Sequence, residues 1–267
     1  MEEGSLPFVR LGRFGIGKGI IVYNHLLTPF FGEFMGTLVI ILLGEGANAA
    51  VLLKRSKAEG SGWIVITAGW AFAVFSGVVT AIACGSPGAH LNPAVTIAVA
   101  IKTGVYSSVA SFIAAQMLGA FCGAILVYLF YKPHFDVTDD PGIKLGVFAT
   151  GPAIRSPFWN LFSEAVATAL LLLVIGAIGA KTFAPAGPAP GLAPYLVGML
   201  VWAIGLSLGG TTGYAINPAR DLAPRLAHQL LPMRAKGSSD WGYAWVPVLG
   251  PVLGAVAMGI FLRLSGI

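Results

Sequence analysis

Two short stretches decide how this chain is read: CGSPGAHLNPAVTIAVAI at 84–101 and GGTTGYAINPARDLAPRLAHQL at 209–230. Each opens rich in glycine and becomes helix-compatible after Asn-Pro, because asparagine is a favoured N-cap and proline suits the first helical position. Aligned on Asn92 and Asn217, both carry a glycine four residues earlier, Gly88 and Gly213, and both read Asn-Pro-Ala: Asn92, Pro93, Ala94 and Asn217, Pro218, Ala219. One copy is a capping signal. Two copies in matching places of an apolar chain are an internal repeat.

Outward from these stretches lie six apolar runs, at roughly 30–53, 63–83, 106–130, 159–180, 194–211 and 244–264. A hydrocarbon core of ~30 Å takes ~20 helical residues to cross, so each run is a candidate span. With 56% hydrophobic and 10% charged residues among 267, a water-soluble globule is excluded. No strand-like alternation runs through the spans, and lipid admits only helices or closed barrels. The expected fold class is therefore an all-α membrane protein of six transmembrane helices plus two re-entrant half-helices.

Each half places a glutamate near the start of a span, Glu33 in GEFMGTLVIILL and Glu164 in SEAVATALLLLV, ahead of its Asn-Pro-Ala. Three spans and a half-span per half make an inverted repeat, with the two half-spans entering from opposite faces. The reading is a short tail at 1–29 and one channel domain at 30–267, its repeats at about 30–130 and 159–264. Residues 131–158 read as a polar loop and 181–194 as a hinge-like connection. Irregular backbone at membrane depth persists only where it is buried or lines a wet cavity, so a pore is expected beside both segments.

Two half-helix N-termini meeting near the midplane would contribute about half a positive charge each, a barrier to cations and protons. The asparagine amides become donors for a passing hydroxyl, and the carbonyls of Gly88, Ala89, His90, Gly213, Tyr214 and Ala215 become acceptors. Cys84 and Cys122 lie in or beside apolar runs and read as packing residues. The histidines are scattered, so no metal or cofactor is expected. No nucleophile with a base and no catalytic carboxylate pair is present, so no enzyme is expected either. The net charge of +5 comes without a basic cluster interleaved with aromatics, which argues against nucleic acid as a partner.

The segments PGAHLNPAVT and NPARD in a six-span chain resemble the aquaporin superfamily, in its glycerol-passing branch, over nearly the whole chain from about residue 28. The resemblance implies a right-handed bundle with one pore per subunit, assembled as a homotetramer in a cell membrane with both termini cytoplasmic. It implies passive passage of glycerol, water, urea and other small uncharged solutes. By spacing from the asparagines it implies a filter of Phe72, Gly205, Tyr214 and Arg220, with Trp70 two residues from the first.

Water-selective relatives carry histidine where Gly205 stands, so glycine implies room for a carbon backbone. Glu33 and Glu164 are implied to brace the re-entrant loops, whereas Glu45 has no counterpart in the other half. Asp221 after Arg220 also resembles the glycerol-passing branch, and Pro87 replaces a serine common before Gly-Ala-His. The short tails suggest a bacterial inner membrane. The alternatives are a channel dominated by water or conducting urea or ammonia, a secondary transporter built on inverted repeats, and gating by His25, His90 or His134.

Overall fold

The computed structural model describes residues 27–267, and these form ten helices and no strand. They are α1 Pro29–Leu52, α2 Trp63–Ala83, α3 Pro93–Thr103, α4 Val109–Phe130, α5 Lys132–Val137, α6 Pro141–Phe148, α7 Pro157–Ile178, α8 Leu192–Ser207, α9 Pro218–Leu230 and α10 Val246–Ser265. The expected tail with His25 lies outside the described residues, apart from its last three positions.

Five helices, α1, α2, α4, α7 and α10, are long and apolar enough to span a membrane. The sixth span, α8, is shorter than the apolar run 194–211 suggests. It stops at Ser207 because Gly209 and Gly210, poor helix formers, release the chain into the second re-entrant loop. The segment 131–158 also departs from the expected plain loop, since it contains α5 and α6. Asp140 caps α6 by accepting from the amides of Gly142 and Ile143, and Lys144, Val147 and Phe148 turn inward.

Burial is inverted relative to a soluble protein. Phe72, Leu118, Leu129, Phe130, Leu253 and Ile260 face outward. Glu33, Glu45, Gln116, Glu164, Asp221 and Arg225 are inside. An apolar girdle around a polar interior is what a lipid solvent selects, so this is a multi-pass membrane protein.

The two halves interlock. Helix α1 packs on α4 as α7 packs on α10, while α3 lies against α10 of the second half and α9 against α4 of the first. Close approach rests on two matching glycine pairs. A Cβ on Gly119 or Gly123 would lie 2.3 or 2.8 Å from the carbonyl oxygens of Phe34 or Leu38 of α1. On Gly250 or Gly254 it would lie 2.6 Å from the Glu164 Cβ or 2.4 Å from the Ala165 carbonyl oxygen of α7. Without a hydrophobic drive between helices in lipid, such contacts carry the association.

Above α9 a buried polar knot ties the loops down. Arg225 Nε lies 2.8 Å from Asp221 Oδ1, with both side chains fully buried. Its two other nitrogens donate to the carbonyls of Ser239 and Thr150 at 2.8 Å, and Asp221 accepts from the Thr150 amide and hydroxyl at 2.7 Å. Asp221, singled out in the sequence by its place after Arg220, is thus a structural ion-pair member.

Candidate pore and filter

The half-helices α3 and α9 start where their sequences say they should. Asn92 Oδ1 accepts from the Ala94 amide at 2.8 Å, and Asn217 Oδ1 accepts from the amides of Ala219 and Arg220 at 3.0 and 3.3 Å. Each asparagine also reaches across to the other repeat. Asn92 Nδ2 donates to the Ile216 carbonyl at 2.8 Å, and Asn217 Nδ2 donates to the Leu91 carbonyl at 2.9 Å. The two loops are thus stitched together residue for residue, with one amide proton of each asparagine left for the lumen.

The loops run in a costly backbone conformation. Ala89 and Leu91 have φ of 40° and 55°, and Tyr214 and Ile216, at the same offsets from their asparagine, have 40° and 43°. Non-glycine residues there cost on the order of 1–3 kcal/mol each unless the surroundings hold them. The holding groups are the two intramembrane glutamates. Glu33 accepts from the amides of His90 and Leu91, the Ser86 hydroxyl and the Gln116 amide at 2.7–2.8 Å. Glu164 accepts from the amides of Ala215 and Ile216 at 2.9 Å and the Thr212 hydroxyl at 2.6 Å. Ser86, Thr212 and Gln116 were not singled out in the sequence, and single polar residues in apolar surroundings are the only signal they gave.

Beside the loops lies a cavity of about 240 Å³, lined on one side by Val74, Val78, Ile82 and Val201 and on the other by loop residues with Asn92, Asn217 and Arg220. Gly88, Ala89, His90, Tyr214 and Ala215 are in its wall, whereas Gly213 is not. Among the described residues, no protein donor meets the carbonyls of these five. Leu91 and Ile216, outside the expected ladder, also line the cavity, but their carbonyls are taken by the asparagines. Pro87 is part of the wall. The His90 ring lies 3.2 Å from the Thr96 hydroxyl and edge-on to Phe112.

Of the four residues expected to form a filter, Phe72 lies elsewhere. Phe72 is 54% exposed and packs against Trp202 on the outside of α2. Trp70, 4% exposed, lies under the Arg220 guanidinium, whose carbon is 4.0 Å from the ring centroid. Residues 70, 74, 78 and 82 share one helical stripe toward the cavity, and position 72 is off that stripe. Counting from Asn92 missed this because spacing through an irregular loop has no helical phase.

Arg220 donates from Nη1 to the Phe148 carbonyl at 3.1 Å, which brings the end of α6 against the guanidinium. Tyr214 stands edge-on to Trp63 at 5.9 Å. Gly205 acts one step back from the lumen. A Cβ there would lie 2.9 Å from Tyr214 Cζ and 2.9 Å from Thr67 Cγ2, so the missing side chain makes the seat for the tyrosine ring.

The family model for major intrinsic proteins matches residues 22–262. The chain belongs to the major intrinsic protein family. This major intrinsic protein is 53% identical over 231 residues to a Thermotoga maritima protein named a probable glycerol uptake facilitator, covering 86% of this chain and 96% of that one. It is 53% identical over 237 residues to the glycerol uptake facilitator protein of Bacillus subtilis, covering 88% and 84%. Among solved structures, it is similar to the aquaglyceroporin of Plasmodium falciparum, with a TM-score of 0.77 and 31% identity over 88% of this chain and 94% of that one.

Proposed function

We propose that this chain is a passive channel for glycerol and other small uncharged solutes, water among them, in a bacterial inner membrane and assembled as a homotetramer. The observation that carries the reading is the amphipathic constriction. The indole of Trp70 and the phenol ring of Tyr214 offer apolar faces, and Arg220 offers a fork of donors against one of them. A polyol laying its CH edge on the rings and its hydroxyls toward Arg220 and the free loop carbonyls exchanges water for equivalent partners. An ion gains no such replacement and meets the charge of Arg220 and two half-helix N-termini, so desolvation excludes it. The names of the relatives from Thermotoga maritima and Bacillus subtilis support glycerol as the solute.

The test is stopped-flow light scattering on proteoliposomes carrying the wild type or Gly205→His, challenged separately with glycerol and sucrose gradients. Glycerol flux well above empty liposomes, lost in the variant while water flux survives, is the expected result, because the histidine pushes Tyr214 from its seat into the opening. Water flux without glycerol flux in the wild type moves the assignment to a water channel. Accumulation of glycerol against its gradient overturns a channel altogether.

A further inference from the structure

Glu45 is the buried acid that neither the loops nor the polar knot use. It lies on α1, fully buried, and both carboxylate oxygens lack a protein donor. Its surroundings are the back of the filter. Gly44 beside it abuts the Trp70 ring, since a Cβ there would lie 2.5 Å from ring atoms. Asn48, one turn on, accepts from Trp70 Nε1 at 3.0 Å and donates to the carbonyls of Gly146 and Val147, next to the Phe148 carbonyl that holds Arg220.

Trp70, held on one side by Gly44 and Asn48 of α1, carries the Arg220 guanidinium over its ring. Asp221 is committed to Arg225 and Thr150, and Glu164 to the loop amides. Arg220 has one protein acceptor for its side chain among the described residues, the Phe148 carbonyl. Buried polar groups are satisfied, by water where protein does not reach, and an arginine fork has five donors.

We propose that Glu45 is a positioning residue for the filter, fixing the Arg220 guanidinium over Trp70 through water held between the carboxyl and the guanidinium. This rests on Arg220 as a filter residue. Water is the fitting link because Glu45 and Arg220 make no direct ion pair among the described residues, yet both need partners, and Arg220 lines the cavity from which solvent can enter. Glutamate on α1 then determines how rigidly the donor fork is presented, and so how sharply the constriction discriminates by solute size.

The experiment uses the full chain in liposomes as wild type, Glu45→Gln and Glu45→Leu, with Glu45→Met as a second apolar variant where Leu fails to insert. Solid-state ¹⁵N NMR of labelled arginine follows the Arg220 side chain, its resonance identified by loss in Arg220→Lys. Stopped-flow gives the ratio of glycerol to erythritol flux. The Gln variant, which keeps hydrogen-bonding atoms, is expected to hold the resonance and to keep the ratio within about twofold. The apolar variants are expected to broaden or shift the resonance and to lower the ratio about fivefold or more.

An unchanged Arg220 resonance in the apolar variants overturns the proposal. So does a Gln variant displaced as far as Leu, since charge rather than a hydrogen-bonded seam would then be what matters. A resonance that moves in the apolar variants while Arg220→Lys leaves glycerol and erythritol flux as in the wild type keeps the positioning role and removes Arg220 from the filter instead.

Discussion

At the residue scale, the two bracing glutamates make the sharpest prediction. Every oxygen of Glu33 faces donors, so Glu33→Gln points an amide NH2 at a backbone NH or at Gln116 and strands it. A hydrogen bond to a charged group is worth about 1.5–3 kcal/mol, so thermal unfolding in detergent is expected at a clearly lower midpoint for Glu33→Gln and for Glu164→Gln alike. The filter correction makes the second. Phe72→Ala removes an outward ring and is expected to leave glycerol flux unchanged, whereas Trp70→Ala takes away the platform under Arg220 and is expected to admit larger polyols, read as erythritol flux. Asn92 and Asn217 were legible in sequence because capping chemistry is local. Trp70 was noted beside Phe72 but not chosen, although Ile66, Trp70, Ala73, Gly77 and Ala81 lie in a buried stripe that excludes position 72, because the position was set by spacing rather than by phase.

At the scale of elements, the glycine pairs of α4 and α10 set the distance to α1 and α7. Gly254→Leu and Gly119→Leu drive side chains into backbone carbonyls and are expected to abolish recovery of folded protein from the membrane, measured by fluorescence size exclusion. Gly46→Ala is the control. A Cβ there meets nothing within 4 Å, and alanine in a helix interior is favoured by roughly 0.5–1 kcal/mol, so equal or better recovery is expected. Five spans were legible from length and apolarity alone, with ends displaced by a few residues. The end of α8 and the helices α5 and α6 were not. The first depends on where the second loop must turn inward, and the latter depend on distant partners: Phe148 meets His228 and Lys144 the Arg234 carbonyl, while Phe135 of α5 packs on Tyr128 and Phe148.

At the scale of the whole molecule, a few buried charges depend on one another for compensation. Asp221→Asn leaves Arg225 buried without its counter-charge, which costs about 3–5 kcal/mol when one partner of such a pair is removed. The expected outcome is a large fall in thermal stability and, because Thr150 and Ser239 are released together, faster proteolysis of the 149–155 and 234–243 loops. The inverted repeat was legible in the sequence because its two copies keep the same residues at the same offsets. Of the knot around Asp221, only the i,i+4 spacing to Arg225 was within reach of sequence; Thr150 and Ser239 lie 71 and 14 residues from the residues they hold, and only folding brings them together.

The asparagine stitching has a historical corollary. Its two bonds are isologous: the side chain of the asparagine in one repeat meets the carbonyl just before the asparagine in the other, and the converse holds. A polypeptide of half this length, inserting into the bilayer in both orientations and pairing with itself, would supply both ends of both bonds, and its glutamate would serve its own loop. Gene duplication and fusion of such a dual-topology ancestor would require no new contact at the pore centre, only a connecting segment. Divergence between the copies, with Glu45 in one and the Asp221–Arg225 pair in the other, would then mark what fusion made possible: a pore whose two mouths differ.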